Sequence, residues 1–184
     1  MSTVQGLLSM DPVDVAKWVR RSNAAGSDKP LYHFEQFFDG EFLIRLFDGP
    51  TAKNRRDFHI NTRAEFFYQL QGDMACTLIE NDEFVTKTCR EGEMFWIPPL
   101  VPHLNQREAG SIGLVIHTQR QPGGMESMAW YCDKCRCQVH RMDFAYEKEL
   151  KELLAPRIRE FAASDELRTC KRCHTVMSAE LGFM

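Results

Sequence analysis

The chain has 184 residues, 43% of them hydrophobic and 27% charged, which is enough to bury one good core with a small appendage and is the composition of an ordinary soluble globular protein. Its 23 basic and 26 acidic residues leave a formal net charge of −3, so there is no global basic field to attract nucleic acid and no support for binding to acidic membranes. No segment approaches a membrane span, and residues 1–15 lack a basic region followed by a long apolar run; the sequence predicts a cytoplasmic protein whose seven cysteines are metal ligands or free thiols.

Asp11 followed by Pro12 predicts a helix start, an acceptor at the cap and a proline where a missing N–H costs nothing. Val15, Trp18 and Val19 share one face of this helix, which is expected to end before a loop at 24–30 and to pack on a barrel or a dimer partner. From about 41 to 131 short strands follow, at 42–47, 65–70, 75–80, 84–89, 94–97 and 112–117. The turn residues Gly72-Asp73 and Asn81-Asp82-Glu83 read as hairpins or tight connections between their flanking strands. Six or more short strands without intervening helices predict a mainly β antiparallel sandwich or jelly roll.

After residue 131 the chemistry changes. Cys132 and Cys135 form one C-x-x-C pair and Cys170 and Cys173 another, separated by 34 residues, the spacing of a tetrathiolate site for iron of rubredoxin type or zinc. Its expected role is structural, since the segment has a short core that a metal can staple. Cys137 is the one alternative ligand, Cys76 and Cys89 are expected to be buried thiols, and His140 and His174 are expected to be non-ligands. Between the pairs a helix is predicted over 144–163, with Leu150, Leu153, Leu154, Ile158 and Phe161 as its apolar stripe and Pro156 kinking or dividing it. The expected organisation is a barrel with its N-terminal helix over 1–131 and a cysteine-liganded segment over 132–184 packed on it.

The second candidate site lies in the strands. His59 and Glu65 are six residues apart with Thr62 and Arg63 between them, so they share neither a helical face nor a strand face and converge only if the chain bends. A second imidazole is available at His103. Two imidazoles and one carboxylate suit ferrous iron, leaving half of an octahedron open for substrate and dioxygen, whereas three histidines would lean towards zinc. The competing reading is that each is a hydrogen-bonded core or surface histidine.

Asp57-Phe58-His59, Glu65 and Gly72 resemble the first cupin motif, with Asp57 at the leading histidine position; Gly92, Pro98 and His103 resemble the second, with Leu100 for its glycine and Arg107 for its trailing asparagine. More narrowly, Arg55-x3-His59-x5-Glu65-Phe66-Phe67-Tyr68-Gln69, Pro98-Pro99-x2-Pro102-His103-x3-Arg107, Glu108-Ala109-Gly110-Ser111 and Trp130-Tyr131-Cys132 together resemble the 3-hydroxyanthranilate 3,4-dioxygenase family. The resemblance covers about residues 10 to 175 and is greatest to the short microbial form with a C-terminal rubredoxin-like metal site. It implies a cupin barrel, ferrous iron on His59, Glu65 and His103, and an ortho-aminophenol that chelates the iron through its amine and hydroxyl. Dioxygen would open the ring beside the hydroxyl carbon, both oxygen atoms entering a semialdehyde that cyclises to quinolinate, a precursor in NAD biosynthesis on the tryptophan-kynurenine route. It further implies a homodimer, and places Arg55 and Arg107 in the substrate pocket, one at the ring carboxylate and one on the dioxygen side; a planar guanidinium can grip a carboxylate with two charge-assisted hydrogen bonds.

One position departs from the family. Aligning Gly113-Leu114-Val115-Ile116 puts His117 where the family has a glutamate that hydrogen-bonds to substrate, unless the alignment slips near Thr118-Gln119. A fixed anion has become a group that is neutral or cationic near pH 7, which predicts a shift towards a modified hydroxyanthranilate or another ortho-aminophenol. A rival from another class is a non-catalytic binding module whose cysteine pairs form a zinc ribbon; the complete ligand set and the lack of a basic patch beside the cysteines oppose it.

Overall fold

The computed structural model describes residues 12–24, 33–39, 41–81, 83–119, 123–145 and 150–181. Helix α1 (Val15–Ala24) is followed by strands β1 (His33–Asp39), β2 (Phe42–Asp48), β3 (Phe58–Ile60), β4 (Glu65–Gln71), β5 (Met74–Glu80), β6 (Glu83–Cys89), β7 (Met94–Ile97), β8 (His103–Arg107), β9 (Ile112–Thr118), β10 (Met125–Tyr131) and β11 (Gln138–Ala145). Helices α2 (Leu150–Ala163) and α3 (Asp165–Arg168) complete the described elements. The strands form two antiparallel sheets, ordered β1-β2-β9-β4-β7 and β11-β10-β3-β8-β5-β6, the face-to-face arrangement of a cupin jelly roll.

The core between the sheets follows from strand alternation. Phe47 on β2, Phe67 on β4 and Val115 on β9 point inward and meet Met74, Cys76 and Leu78 of β5 and Cys89 of β6. The thiols of Cys76 and Cys89 are buried, as expected for paired strands. On the outer face of the first sheet Leu46 and Ile112 are covered by Trp18 of α1, so the helix packs on the barrel. It starts at Val15, with the Asp14 carboxylate accepting the Lys17 N–H at 2.8 Å as its cap; Asp11 lies outside the described residues, as do most of the loop at 24–30 and the turn residues Gln121 and Pro122.

Of the two alternatives read at Gly72-Asp73, a hairpin or a tight connection, the structure has the tight connection. Strands β4 and β5 do not pair across Gly72-Asp73: β4 lies between β7 and β9, while β5 lies between β6 and β8 in the other sheet. Gly72, at φ 61°, turns the chain from one sheet into the other, and its N–H is satisfied by the Glu91 carboxylate at 2.8 Å. The hairpin across residues 81–83 does form, joining β5 to β6. The helix expected over 144–163 does not include Phe144, which belongs to β11 and pairs with Glu126 of β10; α2 is described from Leu150, and residues 146–149 lie outside the described residues. Pro156 sits inside α2 without dividing it.

Strand β11 extends the second sheet beyond β10, and α2 packs on this extension. Leu153, Leu154, Ile158 and Phe161 bury against Met128, Trp130 and Phe144, with the Phe161 ring stacked on Trp130 at 4.2 Å between centroids. Each such side chain contributes about 1.5–3 kcal/mol of burial, so the C-terminal segment shares a core with the barrel sheet.

Candidate metal and substrate site

The open space between the sheets is a cavity to which β2, β3, β4, β8 and β9 contribute inward residues. Strand β3 pairs with β8 at one point, His59 opposite His103, and this sets the two imidazoles 6.2 Å apart between centroids. Metal–nitrogen bonds of about 2.1 Å put an imidazole centroid roughly 3 Å from its ion, so two rings at this separation can flank one ion. The turn at residues 61–64 then carries the chain from the second sheet to the first, where Glu65 opens β4 and faces the histidines across the cavity. The bend that six-residue spacing required is thus a crossing between sheets.

His103 is buried, and its Nδ1 donates to the Val101 carbonyl at 3.0 Å, the contact that typically fixes a metal-ligating histidine. The ring therefore turns Nε2 towards Glu65 Oε2, 3.1 Å away. Burial pushes the Glu65 carboxyl up, but its bond to His103 and the charges of His103, His117 and His59 outweigh this and hold it at about 2, so it is ionised at neutral pH. His59 is pushed down by burial and by the Arg55 charge, against the opposing pull of Asp57, so its ring is neutral. Its Nε2 faces Arg55 Nη2 at 2.8 Å and Asp57 Oδ2 at 3.0 Å. An ionised carboxylate beside two imidazoles is the donor set a divalent cation needs, although His59 is not gathered with the other two around one point in this arrangement.

Arg55, Asp57 and His59 alternate along one strand direction. The Asp57 carboxylate, buried and held at about 2 by the Arg55 charge and the His59 and Arg55 contacts against the upward push of burial, grips the guanidinium in two parallel bonds of 3.0 Å. Sequence reasoning gave Asp57 only as a replaced histidine; its two-residue spacing from both neighbours was the signal for a supporting acid.

Arg107 is buried on β8 and donates from Nη1 to the Gln69 amide oxygen at 2.5 Å. Its guanidinium lies over Gly113 of β9: a Cβ there would stand 2.5 Å from Nη1 and 2.3 Å from the Gln69 oxygen. Gly113 is therefore a place where any side chain evicts Arg107, a role not visible in the sequence run that contains it. Gly113→Ala is expected to lower kcat/KM by about 100-fold, the cost of a misplacement near 1 Å, and steady-state kinetics beside a melting curve check that the loss exceeds any loss of fold.

His117 lies opposite Glu65 in register and lines the cavity. Its Nδ1 meets Arg63 Nη1 at 2.7 Å, and Arg63 in turn is paired with the buried Glu126 carboxylate at 2.7 Å. Neither Arg63 nor Glu126 was read as functional from the sequence. Two further cavity residues were missed, Arg45 of β2 and Asn105 of β8, both hidden by reading their segments as apolar or as spacer. Asn105 Oδ1 is buried with no hydrogen-bond partner among the described residues, and a buried acceptor left so is a place for a ligand or a water. Asn105→Ala is expected to raise KM for an amine-bearing substrate several-fold, by the roughly 1 kcal/mol of one hydrogen bond, with kcat changed less; initial rates over a concentration series read the split.

Away from the cavity, Cys132, Cys135, Cys170 and Cys173 bring their sulfurs within 4.8 Å of one another, the one such His/Cys/Asp/Glu group among the described residues. Neighbouring sulfurs stand 3.5 Å apart between Cys132 and Cys173 and 3.4 Å between Cys135 and Cys170, near the roughly 3.8 Å edge of a tetrahedron with 2.3 Å metal–sulfur bonds. The two C-x-x-C turns have the same construction. Arg136 N–H donates to the Cys132 carbonyl and His174 N–H to that of Cys170, while Cys132 and Cys170 donate to the carbonyls of Cys137 and Thr175. Arg136 and His174 occupy the same left-handed position, φ 63° and 60°. His174 is thus a turn residue, and Cys137 stands outside the group, accepting from Arg172 at 3.1 Å.

Comparison with known proteins agrees along the chain. The sequence model of the family described as 3-hydroxyanthranilic acid dioxygenase matches residues 7–162. A protein of Bacillus thuringiensis (strain Al Hakam) named 3-hydroxyanthranilate 3,4-dioxygenase is 38% identical over 179 residues, covering 95% of this chain and 96% of its own. Proteins of the same name from Candida albicans and Jannaschia sp. (strain CCS1) are 34% and 39% identical, covering 91% and 75% of this chain and 95% and 76% of theirs.

Proposed function

Because this chain belongs to the 3-hydroxyanthranilic acid dioxygenase family, we propose that it cleaves the aromatic ring of 3-hydroxyanthranilate with dioxygen, using iron held by His59, Glu65 and His103. The observation that carries this reading is the Glu65 carboxylate 3.1 Å from His103 Nε2, with the His59 imidazole, Arg55 and Arg107 lining the same cavity.

When bound, ferrous iron supplies a centre with open positions for the substrate's amine and hydroxyl and for dioxygen, and a path for electrons between ring and dioxygen. The chain's own residues do the rest. Arg55, its fork pre-set by Asp57, grips the ring carboxylate and so fixes the face that the ring presents to the metal. Arg107, held flat over Gly113 by Gln69, puts a permanent positive charge where negative charge develops on the dioxygen side. Asn105 offers an acceptor to a substrate N–H or O–H. Phe47, Phe67 and Val115 close the apolar wall, keeping bulk water from the reacting atoms. The four cysteines hold a second metal, iron or zinc, whose role is to tie the two C-terminal turns together.

The test is turnover: iron-loaded protein with 3-hydroxyanthranilate is expected to consume dioxygen and form a product with a new near-ultraviolet absorbance. No dioxygen uptake with this compound, or with any ortho-aminophenol or catechol, would leave a binding module as the better reading.

A further inference from the structure

His59 and Glu65 belong to different sheets, and no strand pairing joins the two sheets among the described residues. Backbone pairing therefore places each of them within its own sheet and leaves their separation to other contacts. His59 on β3 is held by β10, where Met128 is its partner, and Glu65 on β4 is held by β9, where His117 is its partner. Between them the chain crosses in the turn at residues 61–64. One end of this turn is tied down by the Leu100 N–H, which donates to the Asn61 carbonyl at 2.8 Å from the loop that leads into His103.

The other end is tied by a side chain. Arg63, two residues before Glu65, donates from Nη2 to Glu126 Oε1 at 2.7 Å; its Nη1 donates to the Thr118 carbonyl and meets His117 Nδ1 at 2.7 Å. Glu126 precedes Ser127 of β10, which pairs with Ile60 beside His59, whereas His117 and Thr118 end β9, the strand that holds Glu65. One guanidinium thus joins the strand that supports His59 to the strand that supports Glu65. The Arg63 side chain is 10% exposed and that of Glu126 3%, so water competes little for these bonds. Different nitrogens of a planar fork reach the two strands, a span that the compact ammonium of lysine lacks.

We propose that Arg63 is a positioning residue for the metal site, a cross-sheet clamp that, held by Glu126, sets the place of Glu65 relative to His59. This role rests on reading His59 and Glu65 as metal ligands. Neither Arg63 nor Glu126 lines the cavity, so both act through β9 and β10.

Replacing both members of a buried ion pair by apolar residues of similar volume is often neutral for stability, whereas removing one strands the charge of the other. Arg63→Met alone is therefore expected to lower Tm, and Arg63→Met combined with Glu126→Leu to restore it. With the cysteine site filled by zinc, cobalt(II) is titrated into the cavity and followed by its visible bands. The double variant is expected to bind cobalt about 10–100-fold more weakly than the parent, the range for losing a supporting contact around a metal, and with displaced bands, although its Tm has recovered. Arg63→Lys is expected to keep Tm and only part of the affinity. Parent-like affinity and bands in the folded double variant, or in Arg63→Lys should the double variant not fold, overturn the clamp and leave the pair a role in the fold alone. If the parent itself takes up no cobalt beside its zinc, the reading of the ligands fails. Crystal structures of parent and double variant then decide the clamp: a changed separation of His59 from Glu65 upholds it, and an unchanged one overturns it.

Discussion

Replacing Glu65 by glutamine is expected to lower kcat/KM for ring cleavage by well over 100-fold and to release iron from the cavity, leaving the cysteine site loaded. Loss of a mere supporting contact around a metal costs about 10–100-fold, so a true ligand must exceed that range. Glutamine has the shape of glutamate, and the residue is largely buried between β7 and β9, so packing is preserved and the effect isolates the charge. Without that charge His103 Nε2 faces a neutral amide, and the anion that remains beside the imidazoles, Asp57, is already paired with Arg55. Metal analysis of the purified variant beside kinetics decides the matter: a variant that keeps its iron and turns over within tenfold of the parent rules out Glu65 as a ligand.

Cys170→Ser is expected to act in the opposite compartment, removing one metal per chain and much stability while sparing the chemistry. Cys170 is buried, anchors the turn that returns the chain to the Thr169–Val176 bridge, and lies next in sequence to α3, which packs on α2 and β11. Structural tetrathiolate sites bind with apparent energies of about 10–16 kcal/mol. Losing even about 4 kcal/mol moves Tm by roughly 8–16 °C in a chain of this size. None of the four cysteines lines the cavity, so ring cleavage below the new transition is expected to persist. Unchanged metal content and Tm would show that the thiols are bystanders.

Much of this was legible because the chemistry is local. The C-x-x-C turns carry their own geometry, and the wide-spaced His59, Glu65 and His103 needed only a chain that changes sheets between the first two. What could not be read was set by the second face of each strand. Strand β10 is buried along nearly its whole length, with the barrel on one side and α2 on the other, so it has no alternation to betray it. Strand β3 is three residues long and shows itself only by pairing with β8 and β10. Phe144 fits a helical stripe as well as a strand, and the pairing partner on β10 decided between them. Within the site, Asp57 and Asn105 follow the period of two from residues already chosen, and that rule alone would have found them. Arg45 needed more: a guanidinium in an apolar strand is ambiguous until the neighbouring strand shows which face it shares. The glycine at 113 is set by an Arg107–Gln69 bond that spans 38 residues, and the Arg63–Glu126 support of His117 by contacts across 54 and 63, and only the folded chain displays them.

The central claim is that this cavity inserts dioxygen into an aromatic ring. Turnover of 3-hydroxyanthranilate by the iron-loaded protein under isotopically labelled dioxygen, with mass analysis of the ring-opened product trapped before it cyclises, tests it most directly. Both oxygen atoms of one dioxygen molecule are expected in the product, and the label is expected to vanish with the Glu65→Gln protein. A product that carries a single labelled atom, or none, contradicts it.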